Sequence, residues 1–211
     1  MATAWLAGGS GLVGGVLLRR ILRDDHFDRV VSVGRRALPI RDPKLVQVEI
    51  DFATPSVFDA LAAPSVAFCC LGTTIKKAGS REAFRKVDHD AVLAFAQAAR
   101  RKGAHAFIHV SSLGANVDSR TFYAAVKGET ERDVGRVGFP SVYALRPSIL
   151  DGEREESRPG ETVGLLVGRV LAPLLGKYRP TPVDAVVESM VRLAKAPAPG
   201  VHVIEPDGMT G

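Results

Sequence analysis

Two periodicities of apolar residues alternate along the chain. Short apolar runs with the two-residue period of strands alternate with longer segments in which apolar residues recur every three or four positions, as on one face of a helix. The apolar runs predict strands at 3–7, 29–33, 45–50, 65–71, 105–111, 141–146 and 200–205. The longer segments predict helices that begin after Gly11 and at 54–61, 80–99, 122–134, 162–175 and 183–195.

This repeated strand–helix order predicts the α/β class, with a Rossmann-type, doubly wound parallel sheet of about seven strands and helices on both faces. The chain of 211 residues suits a single domain over 1–211. We expect a small C-terminal extension on the substrate side, mainly within 151–196, where the segment 151–161 is irregular and rich in charged residues, glycine and proline.

A glycine-rich turn follows the first strand and leads directly into a helical pattern. Its glycines are spaced Gly8-x-x-Gly11-x-x-Gly14. Gly8 permits the tight turn, Gly11 lets a pyrophosphate approach the backbone, and Gly14 lets the helix pack closely on the sheet. Since free N–H groups at a helix N-terminus attract phosphate, the turn predicts a dinucleotide site. The predicted phosphate-binding residues are Gly8, Ser10, Gly11, Leu12 and Val13.

Two arginines, Arg35 and Arg36, follow the second predicted strand, where this fold meets the adenosine ribose. An acid there binds a free 2′-hydroxyl, whereas guanidinium groups bind a 2′-phosphate through charge-assisted hydrogen bonds. The pair therefore favours NADP(H) over NAD(H), with a solvated turn as the other interpretation. Asp51 and Phe52 end the third strand, where they either contact the adenine or form a turn.

Composition and charge argue against several other classes of function. The net charge is +5, but the basic residues are scattered in short groups, which makes nucleic acid an unlikely partner. No apolar run is long enough for a transmembrane helix, and no cleavable leader precedes the first strand, so we expect a cytoplasmic protein without a membrane partner. Cys69 and Cys70 adjoin each other in an apolar run and predict buried thiols; no metal site is expected.

A second set of residues carries candidate chemistry. Ser111 and Ser112 end a strand, and Tyr123 and Lys127 lie four apart in the next helical pattern, so they share a face one turn apart. A positive charge beside a phenol favours the phenolate, which suits the tyrosine to general acid–base work. A serine at the strand end is placed to hydrogen-bond a substrate oxygen. The alternative is an amphipathic helix with a tyrosine at the edge of the core.

Together these motifs resemble the short-chain dehydrogenases/reductases, in the extended or atypical branch with Gly-x-x-Gly-x-x-Gly. The resemblance spans about 3–205. Within it, Leu71-Gly72-Thr73-Thr74, the segment 109–115, Tyr123-x-x-x-Lys127-Gly128-Glu129 and Leu145-Arg146-Pro147-Ser148 are similar to the Tat-interacting oxidoreductase-like subfamily. Bacterial members of that subfamily are usually labelled nucleoside-diphosphate-sugar epimerases or NAD(P)-binding oxidoreductases.

The resemblance implies a role for each of these residues. Tyr123 exchanges the proton, Lys127 binds the nicotinamide ribose and tunes Tyr123, and a serine polarises the carbonyl, with Ser112 preferred and Ser111 as the alternative. Further cofactor contacts are implied along the following strand ends: Leu71, Gly72, Thr73, Pro147 and Ser148. The long helix of many such proteins packs against a partner subunit, which leaves a homodimer open.

The resulting hypothesis is an NADP(H)-dependent oxidoreductase that transfers hydride to or from a small carbonyl or alcohol substrate. Two alternatives stay open: an NADPH-binding regulator with little turnover, and a nucleotide-sugar epimerase or dehydratase. The last is disfavoured because only about sixty residues follow Pro147, which leaves little chain to hold a nucleotide sugar.

Overall fold

The computed structural model describes residues 2–52, 54–151 and 179–209. The predicted helix at 162–175 and nearly all of the irregular segment 151–161 lie outside these residues. Of the predicted substrate-side elements, only Asp151 and the part from Arg179 onward are described. None of the described helices has both the length and the apolar character needed to cross a membrane.

Seven parallel strands form one sheet, which confirms the predicted fold class. The strands are β1 (Ala2–Ala7), β2 (Phe27–Gly34), β3 (Leu45–Glu49), β4 (Val66–Cys69), β5 (Ala106–Val110), β6 (Ser141–Leu145) and β9 (Gly200–Ile204). Their spatial order is β3-β2-β1-β4-β5-β6-β9. The order reverses between β1 and β4, and in a doubly wound sheet this is the point where a crevice opens at the carboxyl ends of the strands.

Helices cover both faces of this sheet. They are α1 (Leu12–Leu22), α2 (Ile75–Ala78), α3 (Arg81–Arg85), α4 (Ala91–Arg101), α5 (Phe122–Gly135) and α6 (Val183–Lys195). Short 3-10 turns lie at Pro55–Ala60 and Pro206–Met209. The bounds of α6 and the start of α5 agree with the apolar periodicity of the sequence.

The sheet separates two apolar cores. Alternate residues of each central strand enter opposite cores, so that Leu6 of β1 packs with α1 and α6, whereas Trp5 packs with α4. Trp5 is fully buried, stacks on Phe58 and donates its indole N–H to the carbonyl of Ala62 over 2.9 Å. Burial on both faces explains why the central strands have continuous apolar runs.

The helix predicted at 80–99 is present but is not uniformly α-helical. Ser80 caps α3, and a π-helical turn, Lys86–Asp90, joins α3 to α4. The π turn is closed by the N–H of Ala91, which donates to the carbonyl of Lys86. Asp88 and His89 are both buried within this turn. Apolar periodicity does not reveal such a turn, because the two residues that it buries are polar.

Two small features have no counterpart in the sequence-based prediction. The helix α2 has four residues, capped by Thr74, whose hydroxyl accepts from the N–H of Lys77. A separate two-stranded parallel sheet pairs β7 (Leu150–Asp151) with β8 (Thr181–Pro182). Segments this short hold too few residues to show a period.

Candidate active site at the carboxyl edge of the sheet

The glycine turn after β1 brings three chain segments close together. Gly8 has φ +88°, and a Cβ on it would lie 2.5 Å from the carbonyl carbon of Cys70. A Cβ on Gly14 would lie 2.1 Å from the carbonyl oxygen of Gly8. Glycine is therefore required at both positions, at Gly8 by the left-handed backbone and the neighbouring strand, and at Gly14 by helix packing.

The N-terminus of α1 is open at this turn. Gly11 is its N-cap with extended backbone, no side chain caps the helix, and its first turn contains no acid. The N–H groups of the first turn are therefore available to an anion, and the helix dipole favours one there. Leu12 is half-buried and Val13 is buried, so these two residues would contribute backbone rather than side-chain contacts.

Arg35 and Arg36 are exposed directly after β2. Gln47 of β3 holds the loop that carries them. Its amide oxygen accepts from the N–H of Leu38 over 2.6 Å, and its amide nitrogen donates to the carbonyls of Leu38 and Ile40. The loop is thus held against the sheet, and both arginines are exposed on it.

Asp51 and Phe52 lie beyond β3 in different surroundings. Asp51 is exposed. Phe52 packs edge-on against Phe95 and beside Phe58, with ring centroids 6.5 Å and 6.4 Å away. The aromatic ring of Phe52 is therefore part of the second core, and its packing gives it a structural role whatever it contacts on its exposed side.

The two candidate serines differ in what holds them. Ser111 is buried, and its hydroxyl donates to the carboxylate of Glu131, which also forms a two-pronged ion pair with Arg146. Ser112 is half-buried, and among the residues that the structure describes its hydroxyl has only a long contact of 3.5 Å to the carbonyl of Leu113. The Ser111 hydroxyl is thus engaged inside the protein, whereas that of Ser112 is free to turn toward a ligand.

Tyr123 and Lys127 lie one turn apart on α5, at the same edge of the sheet. Tyr123 has 36 % of its surface exposed, and its ring packs on Phe84 with centroids 5.4 Å apart. Lys127 has only 7 % of its side chain exposed, and its Nζ lies 2.7 Å from Oδ1 of the fully buried Asp88. Burial lowers the pKa of Lys127, but the Asp88 carboxylate, with smaller contributions from Tyr123 and Cys69, outweighs burial, and the net pKa is raised. The ammonium group is therefore charged at neutral pH.

Asp88 also contacts the strand-end segment predicted to line the cofactor. Its Oδ2 accepts from the N–H of Thr73 over 2.8 Å, and a Cβ on Gly72 would lie 3.5 Å from its Oδ1. Gly72 and Thr73 thus lie beside the Asp88–Lys127 pair, while the backbone of Leu71 lies beside Gly8. The sequence-based prediction missed Asp88, since a single acid in a helical segment carries no spacing signal.

Two buried groups surround the lysine without pairing to it. Burial raises the pKa of the Cys69 thiol to about 12, which keeps it protonated. Burial, with a smaller contribution from Lys127, lowers the pKa of His109 to about 3, so its ring is neutral. Nε2 of His109 has no hydrogen-bond partner among the described residues. Asp88 is therefore the negative charge that balances Lys127.

Pro147 and Ser148 follow β6 as expected, but both are occupied by protein contacts. The carbonyl of Pro147 accepts from the N–H of Leu113 over 2.9 Å. The Ser148 hydroxyl donates to the carbonyl of Arg179 and lies 3.0 Å from the hydroxyl of Thr181. Ser148 thus ties the strand end to β8.

A further glycine, Gly128, sets how closely the serine-bearing loop approaches α5. A Cβ on it would lie 2.3 Å from the backbone carbon of Asn116. Any larger residue next to Lys127 would push this loop away from the helix. The close packing gives a physical reason for the Lys-Gly dipeptide, which the sequence-based prediction left without a role.

Comparison with other proteins identifies the family. Protein HTATIP2 of Rattus norvegicus is 35% identical over 202 residues, which cover 94% of this chain and 83% of the relative. The chain belongs to the HTATIP2/FMP52 family, an atypical branch of the short-chain dehydrogenases/reductases. Protein fmp52 of Emericella nidulans, named mitochondrial, is 33% identical over 203 residues, 93% of this chain and 85% of the relative. No family model matches the chain.

Solved structures confirm the fold at lower identity. The Bordetella bronchiseptica enzyme WbmH, crystallised in complex with NAD+, superposes with a TM-score of 0.72 at 17% identity, covering 97% of this chain and 76% of that one. Nearly the full chain therefore shares the fold of that enzyme.

The cytoplasmic location expected from the sequence is wrong by this comparison, because the fungal relatives are named mitochondrial proteins. That expectation rested on the lack of a transmembrane run and on a strand, rather than a cleavable leader, at the start of the sequence. Such a strand indicates how the segment packs in the sheet, and it carries no information about compartment.

Proposed function

We propose that this protein is an NADP(H)-dependent oxidoreductase acting on a small carbonyl or alcohol substrate. The observation that carries the proposal is the buried, charged Lys127, placed one helical turn from a half-exposed tyrosine at the edge of the sheet where the glycine turn opens. Burial of an ammonium costs free energy that even a paired carboxylate offsets only in part, and perturbed buried charges cluster at functional sites.

The residues present fit a dinucleotide. The open N-terminus of α1 suits the pyrophosphate, and the Gly8 and Gly14 contacts leave no room there for any side chain. Leu71, Gly72 and Thr73 line the path from that turn to Lys127. The nicotinamide would supply hydride chemistry, and the remaining steps belong to the protein.

Proton transfer is assigned to Tyr123. Its side chain is partly exposed, and its ring packs on Phe84. Lys127 would hydrogen-bond the nicotinamide ribose and favour the phenolate form through its charge. Of the two serines, Ser112 is proposed to hold the substrate oxygen, because the hydroxyl of Ser111 already donates to Glu131.

The preference for NADP(H) is proposed from Arg35 and Arg36. Both guanidinium groups are exposed after β2, on a loop that Gln47 holds in place. Paired guanidiniums bind a phosphate dianion with two-pronged geometry and gain little from a neutral 2′-hydroxyl. WbmH was crystallised with NAD+, so the proposed preference for NADP(H) rests on the two arginines of this chain alone.

The test is a fluorescence titration with NADPH and NADH, followed by turnover on a panel of small carbonyls. Arg35→Ala/Arg36→Ala should weaken NADPH at least about tenfold and leave NADH unchanged, since each charge-assisted hydrogen bond is worth about 1.5–3 kcal/mol. Arg41→Ala, an exposed arginine of the same loop, is the matched control. Tyr123→Phe should bind NADPH normally but abolish turnover.

Other outcomes have definite meanings. Failure of the wild-type protein to bind either dinucleotide overturns the proposal. NADPH binding without turnover of any carbonyl supports instead a regulator that senses the cofactor. Tighter binding of NADH than of NADPH overturns only the role proposed for the two arginines.

A further inference from the structure

Two of the described helices begin near the candidate site, at the carboxyl edge of the sheet. The strands are parallel, so each connecting helix runs back across the sheet and starts near the edge where the preceding strand ends. Arg81 is the first residue of α3, and Phe122 and Tyr123 are the first two residues of α5. Arg81 and the tyrosine assigned to proton transfer therefore lie at the same edge.

An aromatic cluster holds the guanidinium group of Arg81 at this edge. The guanidinium carbon lies over the ring of Phe122, 5.3 Å from its centroid. The fully buried Phe84 packs on Phe122 and on Tyr123, with ring centroids 5.9 Å and 5.4 Å away. Since a cation is attracted to the face of an aromatic ring, the cluster places an exposed positive charge over the residue that precedes Tyr123.

The carboxylates closest to Arg81 in these elements already have other partners. Each acidic residue of α3 and of the π turn has a basic partner, and so does the acidic residue of α5 that faces α3. The pairs are Glu82–Lys86, Asp88–Lys127, Asp90–His89 and Glu129–Arg85. Among the residues that the structure describes, Arg81 has no carboxylate partner. The charge of Arg81 is thus left unbalanced by this part of the protein.

Two lysines of α2 add to the positive charge. Lys76 and Lys77 are exposed on the short helix that precedes α3, and neither has a carboxylate partner within the described ranges. Asp118 and Arg120, both exposed in the loop before α5, carry opposite charges and add no net charge. Charge of one sign beside a cleft raises the local concentration of oppositely charged ligands. This edge of the sheet therefore favours an anion.

Helix stability does not explain the presence of Arg81. The helix α3 continues through the π turn into α4, and Ser80 caps its N-terminus by accepting from the N–H of Ala83 over 3.0 Å. Cations stabilise the C-terminal end of a helix, whereas the N-terminal end is the positive end of its dipole. The charge of Arg81 is therefore unfavourable for the helix, and a negatively charged ligand would offset that effect.

We propose that the substrate of the reaction assigned above carries an oxyanion, a carboxylate or a phosphate, and that Arg81 binds it while the carbonyl lies at Tyr123. A guanidinium group donates two parallel hydrogen bonds to such a group, which gives specificity as well as affinity. Lys127 is unsuited to this role, because its ammonium is buried and paired with Asp88. The oxyanion takes no part in hydride or proton transfer, so the reaction leaves it unchanged.

The test compares aldehydes that share a carbon skeleton and differ in charge. Benzaldehyde is matched with 4-carboxybenzaldehyde and 4-formylphenyl phosphate, and butanal is matched with 4-oxobutanoate. With NADPH, kcat/KM should be at least about tenfold higher for a charged aldehyde than for its neutral counterpart. The better of the two charged benzaldehydes distinguishes a carboxylate from a phosphate. Equal values for charged and neutral aldehydes would overturn the proposal.

The decisive variant is Arg81→Gln, which removes the charge but keeps a polar side chain. It should lower kcat/KM at least about tenfold for charged aldehydes and leave that for neutral aldehydes unchanged. Arg81→Lys should keep part of the preference, since it retains the charge without the two-pronged geometry. Arg101→Gln, which alters an exposed arginine at the far end of α4, is the matched control and should behave like the wild type. Equal losses for charged and neutral aldehydes in Arg81→Gln would assign Arg81 to the fold alone and overturn the proposal.

Ionic strength provides an independent readout. Arg81 is exposed, so salt should screen its attraction for an anion. Raising the salt concentration from about 20 mM to about 500 mM should reduce the preference of the wild type for charged aldehydes and have little effect in Arg81→Gln. A preference that persists unchanged at high salt would contradict its assignment to an exposed guanidinium group.

The substrate class rests on the proposed function, but the Arg81 site can be tested without any cofactor. The probes are 4-(hydroxymethyl)benzoate and benzyl alcohol, the alcohols that correspond to the charged and neutral benzaldehydes. In NMR titrations the charged probe should shift the Nε–H signal of Arg81, assigned by its loss in Arg81→Gln, and should bind at least about tenfold more tightly than benzyl alcohol. Failure of the charged probe to bind would overturn the Arg81 site.

The two proposals fail in different ways. A wild-type protein that binds the charged probe at Arg81 but binds no dinucleotide refutes the proposed function and leaves the oxyanion site standing. Turnover of aldehydes with no preference for charge refutes the oxyanion site and leaves the oxidoreductase function standing.

Discussion

Gly14 and Gly15 are adjacent in α1 but have different neighbours. A Cβ on Gly14 would lie 2.1 Å from the carbonyl oxygen of Gly8, and the nearest atom to a Cβ on Gly15 is the carbonyl oxygen of Gly9 at 3.5 Å. The first contact is impossible without backbone movement, and the second is an ordinary van der Waals contact. Only one of the two glycines is therefore required by packing.

Gly14→Ala should destabilise the fold by at least about 2 kcal/mol, because backbone cannot yield as a flexible side chain does. Gly15→Ala should leave stability unchanged or raise it by up to about 1 kcal/mol, the usual gain from alanine in a helix. Urea unfolding of the two variants beside the wild type measures both effects. Equal stability of the two variants would contradict the packing described for Gly14.

His109 gives the protein a pH dependence of known sign. Burial lowers its folded-state pKa to about 3, whereas an unfolded histidine titrates near about 6.5. Between these two pKa values the histidine binds a proton in the unfolded chain but not in the folded protein, which favours unfolding. The contribution of the neutral ring to the free energy of unfolding is therefore complete above about pH 6.5 and is lost as the pH falls toward 3. Between pH 7 and 5 the loss should be about 2 kcal/mol.

His109→Leu should remove this component, so the variant loses less stability than the wild type between pH 7 and 5. The exposed His105 provides the control, since His105→Gln should keep the wild-type dependence. Urea denaturation at several pH values measures the slopes. A His109→Leu slope equal to that of the wild type would show that His109 is not buried as a neutral ring.

Single residues show where sequence reasoning about the site stops. Tyr123 and Lys127 were predicted together because a four-residue helical spacing is visible in one dimension. Asp88 lies far from Lys127 in sequence, and only folding brings its carboxylate to 2.7 Å. The engagement of Ser111 with Glu131 also depends on how α5 packs over β5.

At the scale of elements, α1 and α6 are connected across one face of the sheet by charged groups. Arg20 pairs with Asp24 and with Glu188, and Asp24 also pairs with Lys195 at 2.8 Å. The Asp24 side chain is 7% exposed and additionally accepts from the N–H of His26. Hydrogen bonds from Lys195, His26 and Arg20 outweigh the opposing effect of burial and lower the pKa of Asp24.

Asp24→Asn should destabilise the protein by about 1–3 kcal/mol, because it removes the charge that Arg20 and Lys195 share at a nearly buried position. The neighbouring Asp25 is exposed, and Asp25→Asn should change stability by less than about 0.5 kcal/mol. Thermal unfolding of both variants compares them directly. A similar small effect in both would show that the pairs around Asp24 contribute little.

Elements with a long apolar period were predictable, and those defined by hydrogen bonding were not. Strands and helices such as β5, α5 and α6 follow from residues that alternate or recur along one face. The π turn at Lys86–Asp90 depends on which carbonyl each N–H selects, and β7 pairs with β8 only because distant chain segments meet. The local pattern of hydrophobic residues predicts neither the π turn nor this strand pairing.

For the whole molecule, the order β3-β2-β1-β4-β5-β6-β9 brings four strand ends to one edge. The glycine turn follows β1, the Gly72 segment follows β4, Ser112 lies beyond β5 and Pro147 follows β6. A ligand bound along this edge would contact segments that follow four neighbouring strands of the sheet. Its binding should therefore stabilise the fold as a unit.

NADPH at about one hundred times its Kd should raise the free energy of unfolding by about 2.7 kcal/mol. For a chain of this size the Tm should rise by about 5–10 °C. Differential scanning fluorimetry at increasing NADPH concentration measures the shift, and removal of the cofactor by dialysis should reverse it. The same shift in Arg35→Ala/Arg36→Ala would contradict the phosphate contact assigned to the two arginines.

The fold class, the glycine turn and the Tyr123–Lys127 pair were determined by the sequence itself, because each depends on periodicity or spacing along a single segment. Tertiary structure alone decided that Asp88 balances Lys127, that Ser111 is engaged while Ser112 is free, and that Gly128 must be small. Those contacts join residues on different elements, and their distances are set by how helices pack on the sheet. The pattern of residues along the sequence therefore does not predict these contacts.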